Sequence, residues 1–471
     1  MRHAHILVLL VAGFLVQACA SSAAREIGSA PGAPKSATPA ESAPLAPSAE
    51  LRSLVDAAVA ADRERIQALY KDLHAHPELS GQERRTAAVV ARELREAGCE
   101  VVEGFGGGHG VVGVLANGPG RTILVRADLD GLPVREETGV PWASRATGRA
   151  ANGEETPTMH ACGHDVHMSC LVGAARVLAA TRARWSGKVV FVGQPAEEIG
   201  VGALQMLEAG LYQRFGVPDC ALALHDSATL PAGVLGVIEG WSMANVDSVD
   251  IVVRGVGGHG AYPHATKDPV VLAARIVLAL QTIVSREMRP IDPAVVTVGS
   301  IHGGSKHNVI PDEVRLQATL RSYDESVRQR MIESVRRICR GEALAAGIPE
   351  DRLPLVEVAE SQHTPATWND PALVRRVRGV FEQWFGAERV VGIEPEMGGE
   401  DFGRFGRTPE RVPICLFRLG AVDPVAIAAA AAGGTPLPSL HSSRFAPVLE
   451  PTLSSGTTAM SAAVLGLLEA R

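Results

Sequence analysis

Between Met159 and His167 the chain reads Met-His-Ala-Cys-Gly-His-Asp-Val-His, one thiol, three imidazoles and a carboxylate in one short run. Cys162 and His164 stand two positions apart, and both reach one metal ion when the glycine between them makes a tight turn. Asp165 falls at the N-terminal end of a helix beginning near Val166, where a carboxylate is favoured. Glu197 and Glu198 follow an apolar run. Adjacent carboxylates can divide the work of a metal site: one ligates, and the other takes a proton from water that the metal makes more acidic. His225 closes another apolar run, and His441 stands in Ser439-Leu-His-Ser-Ser-Arg-Phe445. Singly these signals are weak. A Glu-Glu pair reads equally as a solvated loop, a histidine after an apolar run as a core residue, and His441 alone as nothing in particular.

These residues need a scaffold. Residues 122–128, 188–193 and 220–224 are short, continuously apolar runs that end in Asp128, in Gln194-Pro-Ala-Glu-Glu198 and at His225. Such runs fit strands buried on both faces of a largely parallel sheet. Open α/β sheets carry their sites at the C-terminal ends of such strands. Residues 51–73 and 85–97 read as amphipathic helices. From 245 to 358 the rhythm changes to strand 249–254, helix 269–288, strands 294–301 and 314–322, helix 326–345 and strand 353–358. That β-α-β-β-α-β order is ferredoxin-like. The expected fold is therefore α/β: a mixed, largely parallel sheet flanked by helices, in two parts (51–244 and 359–471), with a small domain inserted at 245–358.

The N-terminus reads differently. A charged start, an apolar run over 6–16 and Val16-Gln17-Ala18-Cys19 make residues 1–19 a secretory signal ending in a lipobox, with Cys19 the acylated anchor. Residues 20–50, rich in Ala, Ser and Pro, cannot bury enough surface to fold and read as a disordered tether. The expected location is the periplasmic side or cell envelope. Over 471 residues the net charge is -7 and aromatics are 4 %, which argues against a nucleic-acid partner. Seven cysteines are too few for a disulfide scaffold, and Cys170, Cys220, Cys339 and Cys415 sit in apolar runs as core residues. His74 and His76 read as packing or capping groups; His160 and His167 read the same way first, with a place behind metal ligands as the other reading.

The ordered series His76-Pro-Glu-Leu79, Arg126-Ala-Asp-Leu-Asp-Gly-Leu-Pro133, His160-Ala-Cys-Gly-His-Asp165, Gln194-Pro-Ala-Glu-Glu198, Gly257-Gly-His-Gly-Ala-Tyr-Pro-His264, Asn308-Val-Ile-Pro311, Gly399-Glu-Asp-Phe402 and His441 resembles the amidohydrolase branch of metallopeptidase family twenty. The resemblance covers roughly residues 60–469. It implies Cys162, His164, Glu198, His225 and His441 as ligands of two divalent ions, with Mn, Zn, Co and Ni all suited to the donors. It implies Glu197 as general base and then acid, Asp130 and Asp165 as carboxylates behind the ligands, and His259 as an oxyanion-stabilising group reaching a partner subunit's site in a homodimer formed through the inserted domain. Asn308 and Arg321 are implied as substrate-binding groups, Arg321 as a fork for a carboxylate. The implied activity is hydrolysis of the amide bond of N-acyl or N-aroyl amino acids or short peptides. The chain departs from the family pattern at Gly131, at Asp226 and at Ser442-Ser443, and an Ala-rich stretch over 426–434 looks like a local insertion at the mouth of the site. Two other classes compete with this reading: a catalytically weak binding lipoprotein on the same fold, and a Cys-nucleophile hydrolase built on Cys162, which would leave the glutamate pair without a role.

Overall fold

The computed structural model describes residues 47–150 and 152–470. The signal, the lipobox at Cys19 and nearly all of the tether lie outside the described residues. In chain order the first part comprises helices α1 (Ala49–Ala75) and α2 (Arg84–Glu96), strands β1 (Glu100–Phe105), β2 (Gly110–Asn117) and β3 (Thr122–Asp128), helix α3 (His164–Ala180), and strands β4 (Trp185–Gln194), β5 (Cys220–Pro231) and β6 (Leu235–Val237). The middle stretch comprises β7 (Asn245–Arg254), α4 (Pro269–Thr282), β8 (Ala294–Gly303), β9 (Glu313–Ser322), α5 (Glu325–Ala345) and β10 (Leu355–Val358). The last part adds α6 (Pro371–Phe385), β11 (Val390–Gly392), β12 (Ile414–Val422) and α7 (Leu449–Leu467).

The main sheet runs β1-β2-β4-β3-β5-β12-β6-β11. Its centre, β4-β3-β5-β12, is parallel. β1, β2 and β6 are added antiparallel at the flanks. Alternate residues of the central strands feed two cores. Ile123, Val125, Val189, Phe191, Leu222, Leu224, Cys415 and Phe417 face a core shared with α1, α3 and α7. Leu124, Val190, Val192, Ala221, Ala223, Ile414 and Leu416 face the opposite one. This two-sided burial is why the strands read as unbroken apolar runs. β5 does not stop at Leu224 but continues past His225 to Pro231, paired with β12.

The middle stretch forms a separate antiparallel sheet, β8-β9-β7-β10, which is the ferredoxin-like order. It has its own core with α4 and α5. Residues Pro269–Glu287 are long and apolar enough to cross a membrane by length and composition. However, α4 turns Leu272, Ala273, Ile276 and Leu280 into the core of this sheet, a helical spacing. Its outer face leaves Val271 58 % and Leu278 73 % exposed.

Candidate metal centre and active site

The candidate site lies where β3, β4 and β5 deliver their C-terminal or central residues to the start of α3. Gly163, the residue before α3, has φ +75°. A Cβ there would lie 2.1 Å from Asp226 Oδ2, so only glycine fits. This turn places Cys162 and His164 on one cluster. Two of the non-glycine residues with positive φ flank the same cluster, Ala196 at 53° and His441 at 65°. The His441 backbone N–H is held on the Ala161 carbonyl at 2.8 Å.

The structure brings Cys162, His164, Glu198, His225 and His441 together. Cys162 Sγ lies 3.2 Å from His441 Nε2 and 3.5 Å from His225 Nε2. Glu198 Oε1 lies 3.5 Å from His441 Nε2 and 3.8 Å from His164 Nε2. The sets Cys162–His164–His225, Cys162–Glu198–His441 and His164–Glu197–Glu198 each have their donor atoms within 4.8 Å of one another. Cys162, His164 and His225 are buried, whereas the His441 side chain opens to solvent.

These groups fit divalent cations. Both ring nitrogens of His164 and Glu198 Oε1 are buried with no hydrogen-bond partner, where buried polar atoms are normally paired. His225 Nδ1 donates to the Asp226 carbonyl at 2.8 Å, which leaves Nε2 as a lone-pair donor facing the cluster. Burial, with Glu400 and Glu198 beside it, raises the Glu197 carboxyl well above the usual carboxylate range. Burial also raises the Cys162 thiol well above its ordinary value, and the Glu198 and Glu197 carboxylates add to this. A free thiolate nucleophile needs the opposite shift, which counts against the Cys-nucleophile reading; a cation beside Cys162 would itself stabilise the thiolate.

Behind the cluster stand two carboxylates to which the sequence reading gave no role. Asp128 Oδ1 accepts from His167 Nδ1 at 2.6 Å, and its Oδ2 lies 3.6 Å from His164 Nε2. The Asp226 backbone N–H donates to His167 Nε2 at 3.0 Å. His167 is therefore a wholly buried bridge from Asp128 to Asp226, not a packing residue. Asp130 stands where expected of a carboxylate behind the ligands: Oδ1 is 3.4 Å from His164 Nδ1, and Oδ2 accepts the Glu198 backbone N–H at 3.0 Å. Burial alone would lower the His164 pKa, but Asp128 and Asp130 raise it to about 10.

Asp165 departs from expectation. Its Oδ2 takes His74 Nδ1 at 2.6 Å and its Oδ1 takes the Val166 N–H at 2.9 Å, so it touches no ligand candidate. One residue along a helix turns a side chain by about 100°, so Asp165 faces α1 while His164 faces the cluster. His74, also bonded to Glu136 at 3.0 Å, is an ion-pair partner and not a mere cap. Burial would lower its pKa, yet these two acids raise it to about 10.

Arg126, at 1 % exposure, anchors the floor. It donates to Asp128 at 2.7 Å, Gln194 at 2.9 Å, Glu400 at 3.0 Å and Asp401 at 3.2 Å. This gives the Gly399-Glu-Asp-Phe402 motif a physical task. Arg126→Leu strands buried carboxylates without their cation, and the expected loss is about 3–5 kcal/mol of stability. Urea unfolding measures it, and a loss below about 1 kcal/mol refutes this role.

His259, Asn308 and Arg321 are not joined to the cluster by any contact among the described residues. His259 is exposed on a short ribbon, where it accepts the Ala261 N–H at 3.0 Å. Asn308 is beside it, its carbonyl bonded to Gly260 N–H at 2.9 Å. Arg321 donates to the Met397 carbonyl at 3.1 Å and Thr319 Oγ1 at 3.2 Å. Burial lowers its pKa with no acid to offset the effect. The Ala-rich stretch forms a helix, Pro424–Ala431, with no buried residue.

The model of peptidase family M20/M25/M40 matches residues 124–435, which include every cluster residue except His441. The chain is 38 % identical over 353 residues to thermostable carboxypeptidase 2 of Saccharolobus solfataricus (74 % of this chain, 84 % of the relative). It is 35 % identical over 350 residues to an N-acetylcysteine deacetylase of Bacillus subtilis (74 % and 86 %). Among solved structures it resembles a Bacillus subtilis protein described as a dinuclear metal-binding peptidase of family M20. That likeness has TM-score 0.68 and 30 % identity and covers 88 % of this chain and 100 % of that one. The chain thus belongs to peptidase family M20/M25/M40 and is a metal-dependent hydrolase of amide or peptide bonds.

Proposed function

We propose that the protein hydrolyses the amide bond of N-acyl or N-aroyl amino acids, or of short peptides, at a pair of divalent ions held by Cys162, His164, Glu198, His225 and His441. The observation that carries this reading is the convergence of those donors in three overlapping sets, each with its atoms within 4.8 Å of one another and one of them including Glu197. When bound, the cations polarise the amide carbonyl and increase the acidity of the attacking water. Glu197 takes the proton from that water and returns it to the leaving amine. Asp130, through His164 and the Glu198 N–H, fixes the donors. Arg321, a cation with no acid beside it, binds the free carboxylate of the substrate, and Asn308 is a further substrate-binding group.

A panel of acetyl, benzoyl and indolyl amino-acid conjugates, run with added Mn²⁺, Co²⁺, Zn²⁺ or Ni²⁺, tests the reading. Release of free amino acid is expected, and no turnover of any conjugate under any metal overturns it.

The exposed His259 fits a role as oxyanion-stabilising donor in a second subunit's site. Two features support a homodimer through the middle sheet: the apolar outer face of α4, and the edge of β8, which pairs with no other strand on that side among the described residues. Leu278→Asp places a charge on that face. Light scattering is expected to show the native chain as a dimer and the variant as a monomer, with kcat falling in step; an active monomer contradicts the arrangement. Anchoring at Cys19 belongs to the same proposal. Cys19→Ser is expected to shift the protein from the membrane pellet to the soluble fraction, and an unchanged pellet argues against it.

A further inference from the structure

The turn that carries Glu197 and Glu198 is held in a conformation that its own residues do not favour. Ala196 has φ +53°, a region that residues bearing a Cβ avoid. Its backbone N–H donates to Glu83 Oε1 at 2.8 Å, and the Gly81 N–H donates to the same oxygen at 2.8 Å. Glu83 is 0 % exposed. It precedes α2, yet its carboxylate makes no cap bond to that helix. Glu78 does that work instead, accepting the Arg85 and Thr86 N–H groups at 3.1 and 2.7 Å. Helix capping therefore does not account for a buried acid at position 83. The same loop sends the Ser80 hydroxyl to Asp130 Oδ2 at 2.6 Å, the oxygen that also accepts the Glu198 N–H. One loop fastens both sides of the turn, Ala196 directly and Glu198 through Asp130.

We infer that Glu83 is a positioning residue for the glutamate pair: its carboxylate holds Ala196 in the left-handed conformation that aims Glu197 and Glu198 into the site. Burying a carboxylate is costly unless its acceptors are used; Oε2 of Glu83 finds no partner, so the two bonds that Oε1 accepts from the turn and from Gly81 are what its burial gains. This inference rests on the roles proposed above for Glu197 and Glu198.

The test compares Glu83→Met, which fills similar space but accepts no hydrogen bond, with Glu83→Gln, whose amide oxygen accepts both N–H groups. Each is made in the native background and again with Ala196→Gly, because glycine takes positive φ freely. The readouts are kcat and KM on the conjugate that the native enzyme hydrolyses best, and the Mn²⁺ dissociation constant of the chelator-stripped protein. Glu83→Met is expected to lower kcat and weaken Mn²⁺ binding by roughly 10- to 100-fold, the usual range for groups behind a metal site, with KM nearly unchanged. Glu83→Gln is expected to stay close to the native enzyme, and most of the Glu83→Met loss is expected to vanish in the Ala196→Gly background. Equal damage from Met and Gln, or a Glu83→Met loss undiminished by Ala196→Gly, overturns the inference. Should Glu83→Met fail to fold, Glu83→Gln decides, because an impaired but folded Gln variant is equally fatal. A native protein that hydrolyses no conjugate refutes the amidohydrolase reading by itself, and the Mn²⁺ constants then still decide on Glu83.

Discussion

Glu197→Gln lowers kcat by roughly a hundred- to ten-thousand-fold, the range supplied by a positioned acid–base group, while metal content and KM stay near native. Glutamine keeps the size of the side chain and its place beside His164 and Glu198, but it cannot take a proton. The proposed ligands are untouched, so the ions remain. The effect then isolates proton transfer from metal binding, which His164→Ala or Cys162→Ser would confound. The measurement is steady-state kinetics on an N-acyl amino acid, paired with elemental analysis of the same preparation. A variant that retains more than about a tenth of native kcat assigns the proton transfer elsewhere.

Chelation produces the other large effect. Stripping the protein with EDTA is expected to bring turnover to background, and adding back Mn²⁺, Co²⁺, Zn²⁺ or Ni²⁺ to restore it. Iodoacetamide leaves the metal-loaded enzyme active, because Cys162 is buried and its sulfur is engaged by the proposed cation. Stability follows the same ions. A ligand present at a hundred times its dissociation constant stabilises the folded chain by about 2.7 kcal/mol, so the stripped protein melts at a lower temperature. The cause is local: cations among Cys162, Glu197 and Glu198 offset the burial and the neighbouring negative charge that raise all three groups. Full activity in protein shown free of metal contradicts this account.

How much of this was legible in the sequence depended on range along the chain. Cys162-Gly-His164 was readable because two donors and the glycine that turns between them are neighbours, and Gly163 does adopt φ +75°. The parallel centre of the sheet was readable because two-sided burial makes β3, β4 and β5 uniformly apolar. β1 and β2 were not recognised, since Gly104, Gly106, Gly107, Gly108 and Gly110 crowd the hairpin and mask its alternation. Asp128 was read only as the acid at a strand end and Asp226 only as a departure from the family pattern, because the partners that give them a role come from other elements. A signal for His167 did exist: His164 and His167 are three apart, so they share a helix face, and their ring centroids are 5.3 Å apart. Asp165 misled for the same geometric reason, as the neighbour of a ligand on a helix points elsewhere. His259 carried motif likeness and Arg321 only a role implied by the family, neither with local geometry, and His259 does not reach the cluster within the described chain.

The claim on which the rest stands is that one thiolate and its surrounding donors hold paired ions. X-ray absorption on the purified protein, combined with elemental analysis, tests it most directly. The expected result is two divalent ions per chain, with one sulfur at about 2.3 Å if the metal is zinc, and loss of that sulfur signal in Cys162→Ser. A single ion, no ion, or a coordination shell of nitrogen and oxygen alone in the native protein contradicts it.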